Sequence, residues 1–206
     1  IYLGNGASEL IVMSMNALLN TGDEVLVPAP DYPLWTAAVS LSGGKPIHYV
    51  CDEKADWYPD IEDIRSKINA NTRAIVVINP NNPTGYLYSK EEMNTLKEII
   101  LRHDLFLFSD EAYREFCYEG KHISALQLEG AEKNVILMDT ISKRYSACGG
   151  RIGAFVTRNR EVFNTAMKFA QARLSPPSFA QILGEAAIDL PDDYFDATRE
   201  EYKLRR

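Results

Sequence analysis

Cysteine is scarce in this chain, long apolar runs are missing, and positive charge is in deficit. Cys51, Cys117 and Cys148 are odd in number, far apart and without a CxxC pair. That argues against a disulfide framework or a zinc knuckle and leaves free thiols in a reducing, cytoplasmic setting. No metal site is expected. The longest apolar stretches, "AIVVI" and "LFLF", fall far short of the roughly 20 residues a membrane span needs. No signal peptide is visible. The formal net charge of −7 argues against a general nucleic-acid surface, although a local basic pocket for a small anion stays open. The phosphate-loop pattern GxxxxGK[ST] does not occur. Repeats and low-complexity tracts are also absent.

What is present suits a soluble globular protein. Of 206 residues, 46% are hydrophobic and 25% charged, enough to build a sizeable core in one large domain. Strand-like and helix-like segments alternate. "ASELIVMSMNALL" carries apolar residues at helical spacing, and "TGDEVLVPAP" is a turn, a buried strand and a proline stop. "YPLWTAAVSLSGG" is expected to be a helix ended by glycines, and "KPIHYV" a strand. "DIEDIRSKI" is helical and "RAIVVINP" a buried strand. "SKEEMNTLKEIILRHD" opens on Ser89 with Glu92 three residues later, a capping box. "LFLFSDEAY", "NVILMDT" and "RIGAFVT" are strands, and "REVFNTAMKFAQARL" a helix. Strands separated by helices of ten or more residues indicate βαβ units and a mostly parallel sheet covered on both faces. Ligands of such sheets bind beyond the carboxyl ends of the strands.

Five polar motifs fall at those ends. In "LGNGASE", Gly4 and Gly6 precede a helix, whose free N–H groups and positive dipole suit an anion; a simple flexible cap reads equally well. A dinucleotide fingerprint would need a third glycine where Glu9 stands and a strand in front. "PAPDYPLW" holds Tyr32 between prolines, either as a core or turn tyrosine or as a ring fixed at a strand end. "NPNNPTG" is turn chemistry, yet a turn does not require Asn82. In "SDEAY", Asp110 ends a buried strand and needs a cationic partner, for which Arg114 is a candidate in a plain ion pair. In "TISKRYSACGGRIG", neither a helical nor a strand period is visible. Lys143 sits among small residues that would let a bulky partner reach its amine. Partly desolvated, it would be a nucleophile. Arg151 offers a planar fork for a phosphate, and Thr140 and Ser142 offer hydroxyls. A basic surface loop is the plain alternative.

In their order, "NPNNPTG", "SDEAY" and "SKRYSACGGRIG" resemble one family. The chain is similar to the large domain of the class I/II aminotransferases, the aspartate-aminotransferase-like pyridoxal phosphate enzymes of fold type I. The likeness runs from about Gly4 to Arg173. The family pattern S-K-x(n)-G-x-R-x-G is met by Ser142, Lys143, Gly149, Arg151 and Gly153. The resemblance implies a three-layer α/β/α sandwich with a mostly parallel mixed sheet. Residues 1–190 would form the cofactor-binding domain, and 191–206 would begin the connection to a small domain. It implies pyridoxal 5′-phosphate as cofactor. Lys143 would form the Schiff base with its aldehyde and later shuttle a proton. Asp110 would pair with the pyridinium nitrogen. Asn82 and Tyr113 would bond the ring oxygen, and Tyr32 would stack on the ring. The phosphate would lie on the N–H groups following Gly6, at Ala7 and Ser8, closed in by Thr140, Ser142 and Arg151.

The implied reaction moves an amino group from an L-amino acid, with aspartate or alanine as the guess, to a 2-oxo acid such as 2-oxoglutarate. A homodimer is implied, with neither nucleic-acid nor membrane partners. The ends look cut: Ile1 is not an initiator, and "DATREEYKLRR" is an unfinished helix. The family's N-terminal arm and its substrate-carboxylate arginine would then lie outside these residues. β-Elimination lyases and cyclopropane-carboxylate synthases keep almost the same motifs, and a regulator domain could borrow the fold.

Overall fold

The computed structural model describes residues 1–206. The chain runs β1 (Tyr2–Gly4), α1 (Ala7–Leu18), β2 (Glu24–Ala29), α2 (Leu34–Leu41), β3 (Lys45–Asp52), β4 (Tyr58–Pro59) and α3 (Ile61–Lys67). It continues through β5 (Thr72–Ile78), α4 (Lys90–His103), β6 (Phe106–Asp110), β7 (Val135–Thr140) and α5 (Ile141–Arg144). It ends with β8 (Gly153–Thr157), α6 (Arg160–Arg173), α7 (Ser178–Ile188) and α8 (Asp192–Arg205).

One sheet in the order β1-β8-β7-β6-β5-β2-β3-β4 forms the middle layer. From β3 through β7 the neighbours are parallel; β8 and β1 on one edge and β4 on the other join antiparallel. This is the α/β/α sandwich with a mostly parallel mixed sheet that the family resemblance implies.

The buried strands have no alternating polarity, yet their side chains still divide between two faces with period two. On β5, Ala74, Val76 and Ile78 join the core beneath α1, α2 and α6, with Leu10, Trp35, Phe108 and Phe155. Ile75 and Val77 join the opposite core beneath α3 and α4, with Ile64, Met93, Leu96 and Ile100.

The capping box of α4 is complete. Ser89 Oγ accepts from the Glu92 N–H at 3.2 Å, and Glu92 Oε2 accepts from the Ser89 N–H at 2.6 Å. Such caps satisfy helix N–H groups that have no partner within the helix.

Beyond β4 and α7, which the sequence reading does not include, the structure departs from it in three places. Tyr2–Gly4 is a strand, paired with β8 through Tyr2↔Phe155 and Gly4↔Gly153; three residues are too few to show a period, and the partner lies far along the chain. Ile141–Arg144 forms a single helical turn within the stretch that shows no helical period. Thr140 caps that turn, its Oγ1 accepting from the Ser142 N–H at 3.2 Å. Arg114 does not pair with Asp110. It reaches Asp139 at 3.3 Å and Glu115 at 3.6 Å instead.

β2 lies between β5 and β3: the connection after β2 leads to β3 on one side, and the connection after β4 returns to β5 on the other. The loops after β2, β5, β6 and β7 open a crevice at this reversal, beyond the strands' carboxyl ends.

Candidate active site

Four strand ends deliver side chains to the crevice. β2 leads to Tyr32, β5 to Asn82, β6 to Asp110 and Tyr113, and β7 to Thr140, Ser142 and Lys143. The start of α1 adds Ala7 and Ser8, and the loop before β8 adds Arg151. All of them line one cleft. Gly6 lies beside it, under the Arg151 guanidinium. There φ is +82°, and a Cβ would run into that guanidinium. Ile78, Ala112 and Cys148 complete the lining.

Local hydrogen bonding selects among the asparagines of "NPNNPTG". Asn79 is buried, its Oδ1 accepting from the Tyr88 N–H at 3.1 Å. Asn81 accepts from the Thr84 N–H at 3.1 Å and its hydroxyl at 3.0 Å, closing the turn. Asn82 keeps a half-buried side chain at the cleft.

The cations divide in the same way. Arg144 is drawn away by Asp139 at 3.0 Å and Glu115 at 2.7 Å. Lys143 forms no such pair. It is exposed at the cleft mouth, with Nζ 5.7 Å from the centre of the Tyr113 ring. The partial desolvation expected of it is therefore absent here, because the cleft opens to solvent on that side.

Anion-binding groups gather at the opposite end. α1 starts on Gly6 with no side-chain cap, so its first N–H groups stay free. Arg151 holds a left-handed backbone, φ 51°, and its guanidinium bonds the Asn5 carbonyl at 3.1 Å and the Cys148 carbonyl at 3.2 Å. At Gly153 a Cβ would come within 2.6 Å of the Gly6 backbone, so glycine there lets β8 pass close under the helix start. Thr140 directs its hydroxyl proton to the Ile152 carbonyl at 2.8 Å, leaving only acceptor capacity. The Ser142 hydroxyl, 2.8 Å from Thr140 Oγ1, then donates to it, so both hydroxyl protons are engaged within the protein.

Asp110 forms the cleft floor. It is 5% exposed, and no basic side chain pairs with it. Burial holds its carboxyl above the usual aspartate value, against hydrogen bonds from Trp35 and the Ala112 amide; Asp139 adds to the rise. Trp35 was not singled out in the sequence; its Nε1–H donates to Asp110 Oδ2 at 3.1 Å. Its helical position three residues after Tyr32 is the one signal that could have pointed to it.

Glu111, the next residue, turns away from the cleft into a closed pocket. Its Oε1 accepts from Ser109 Oγ and Ser124 Oγ, each at 3.0 Å, and from the Ala125 N–H at 2.9 Å. Burial pushes its carboxyl up to about 7. His122 lies 3.6 Å from Oε2, and burial lowers its imidazole to about 4. The imidazole is therefore neutral near pH 7, so this contact is not an ion pair, and at 3.6 Å neither Glu111 Oε2 nor His122 Nε2 has a hydrogen-bond partner.

The set fits a phosphorylated aromatic aldehyde. A free amine stands at one end, anion-binding N–H groups and a guanidinium at the other, and a carboxylate lacking a cation lies between them. No cluster of three or more metal-binding side chains exists. The sequence profile of the family described as "Aminotransferase class I and II" matches residues 1–206.

The chain belongs to that family. The family is pyridoxal phosphate-dependent, and the cleft is built for this cofactor's chemical groups. The glutamate-pyruvate aminotransferase AlaA of Haemophilus influenzae is 54% identical over 156 residues, covering 74% of this chain and 38% of that protein. The solved alanine aminotransferase of Pyrococcus furiosus superposes with a TM-score of 0.92 at 41% identity, over 98% of this chain and 53% of that one. An aspartate aminotransferase double mutant from Thermus thermophilus gives a TM-score of 0.89 at 30% identity, over 98% of this chain and 53% of that one. The chain thus spans less than half the length of the curated relative and about half of each solved one.

Proposed function

We propose that the full protein is an aminotransferase that takes the amino group of an L-amino acid and passes it to a 2-oxo acid. The observation that carries this reading is the pairing, in one cleft, of an unpaired lysine at the mouth with a cation-free buried carboxylate at the floor. Pyridoxal phosphate supplies an aldehyde and an electron-accepting ring. Lys143 would be the amine for that aldehyde and would move the proton at the substrate Cα. Asp110 would set negative charge toward the ring nitrogen. Tyr32 would pack on the ring, and Asn82 and Tyr113 would bond its oxygen. The N–H groups of Ala7 and Ser8, with Thr140, Ser142 and Arg151, would hold the phosphate.

Alanine with 2-oxoglutarate is the preferred substrate pair. The higher identity to the alanine and glutamate-pyruvate enzymes than to the aspartate enzyme supports it. The test is a donor screen on the full-length protein, following oxo-acid-dependent formation of pyruvate and glutamate. Lys143→Ala is expected to abolish turnover. Ammonia or thiol release without an oxo acid would replace this reading with a lyase.

Residues 1–190 are the cofactor domain in this reading, and 191–206 begin a connection onward. The protein works as a homodimer in the cytoplasm. Exposed Phe169, Leu174, Phe179 and Ile182, along α6, α7 and the turn between them, support the dimer. Three free thiols support a reducing compartment, and no helix is long and apolar enough to cross a membrane. Light scattering of Phe179→Glu, expected to favour monomer, tests the dimer.

A further inference from the structure

Trp35 is wholly buried, and its indole bridges two positions of one strand. Phe108 and Asp110 are two residues apart on β6 and so share a face of the sheet. The indole lies 5.6 Å from the Phe108 ring, centre to centre, and its Nε1–H reaches Asp110 Oδ2 at 3.1 Å. The Ala112 N–H takes Oδ1 at 3.2 Å, so each carboxylate oxygen has one donor. The Trp35 backbone N–H donates to the Tyr32 carbonyl at 3.0 Å. The first turn of α2 therefore links the residue at the cleft wall to the residue that grips the cleft floor.

We propose that Trp35 is a positioning residue for the reaction: its indole N–H, braced on Phe108, fixes the Asp110 carboxylate for the cofactor's ring nitrogen without neutralising it. The chemistry of the donor carries this. A lysine or arginine in that place would form an ion pair with Asp110 and compete with the ring nitrogen for its charge. An unsatisfied Oδ2 would leave a buried carboxylate with one bond fewer, free to rotate or take up a proton. A neutral aromatic donor avoids both, since indole can donate and does not ionise. The inference rests on the reading of Asp110 as the partner of the ring nitrogen.

The test uses the full-length protein. With 15N-labelled tryptophan, the indole N–H resonance lost in Trp35→Phe is assigned to Trp35. In the cofactor-free protein that resonance is expected to move upfield in Asp110→Asn, as the acceptor loses its charge. In the holoenzyme, Trp35→Phe is expected to weaken cofactor binding and lower kcat by roughly tenfold each, the scale of one hydrogen bond to a charged group. KM for the amino donor should stay within about twofold, because the contact touches no substrate group. Combined with Asp110→Asn, the Trp35 change should add nothing further. Site-specific 3-benzothienylalanine keeps the indole shape without its N–H; it should reproduce the Phe result and guards against misfolding of Trp35→Phe. An indole resonance indifferent to Asp110→Asn, or a benzothienyl protein with normal cofactor affinity, overturns the role of Trp35 while leaving Asp110's standing. An Asp110→Asn enzyme with normal affinity and turnover overturns both.

Discussion

Asp110 and Glu111 are adjacent, acidic and buried, yet they end in two different regions. β6 stops between them, and they leave it on opposite sides of the sheet. Asp110 faces the crevice with two neutral donors and no cation. Glu111 enters a closed pocket where three donors converge on one oxygen and a neutral histidine faces the other. Burial raises both carboxyls. The difference lies in where relief comes from. Glu111 draws three donors to Oε1 and leaves Oε2 buried without a partner, so relief comes as a proton; Asp110 has one donor on each oxygen and lines an open cleft, where a positive group can reach it. Burial of a carboxylate alone does not mark a functional residue. An opening beside it, lined by groups for the rest of a ligand, does.

The sharpest way to break this contrast is to neutralise each residue in turn. In the full-length protein, Asp110→Asn should lower kcat/KM by on the order of 10³-fold, the scale of losing a preorganised charge at the reacting centre. The cofactor-free form should at the same time melt higher at pH 7. Its carboxyl is raised in the fold, so the stability it contributes is present at low pH and lost as pH rises; asparagine removes that loss. Kinetics and calorimetry on one preparation check both halves. A lower melting temperature would show that the two neutral donors already satisfy the Asp110 carboxylate.

Glu111→Gln should leave kcat/KM within a few-fold and change the pH dependence of stability instead. The carboxyl moves from an ordinary 4.5 to about 7 on folding, so wild-type stability falls as pH rises between those values. Glutamine mimics the protonated acid. The variant should gain on wild type across that window by about 3 kcal/mol. His122, lowered from 6.5 to about 4, makes both proteins lose stability as pH falls through that range, and the difference between them cancels this. Denaturant midpoints at several pH values measure it. Ser124→Ala has the smallest expected effect. Removing one of the three donors to Oε1 should destabilise by about 1 kcal/mol near pH 7 and leave turnover unchanged.

Legibility in the sequence differed by feature. The buried strands and amphipathic helices were readable because burial of a face imposes a period on neighbouring residues. The capping box was readable because it is complete within four residues. Asp110, Lys143 and Arg151 stood out because charge at a strand end or among small residues has few structural uses. β1 and the turn of α5 were not readable, since one depends on β8 far along the chain and the other on a cap inside a loop. Arg114 looked like a plain ion-pair partner for Asp110, but the loop after β6 takes it to Asp139.

The sequence by itself determined the alternation of strands and helices and the order of the polar motifs, because each is written in neighbouring residues; the cofactor followed from the family those ordered motifs resemble. Only the tertiary structure decided which groups meet. The indole on Asp110 comes from 75 residues away, and the Asn5 carbonyl that holds Arg151 from 146. Periodicity tells a side chain which face to bury. The crossover connections of a parallel sheet decide what waits on the other side.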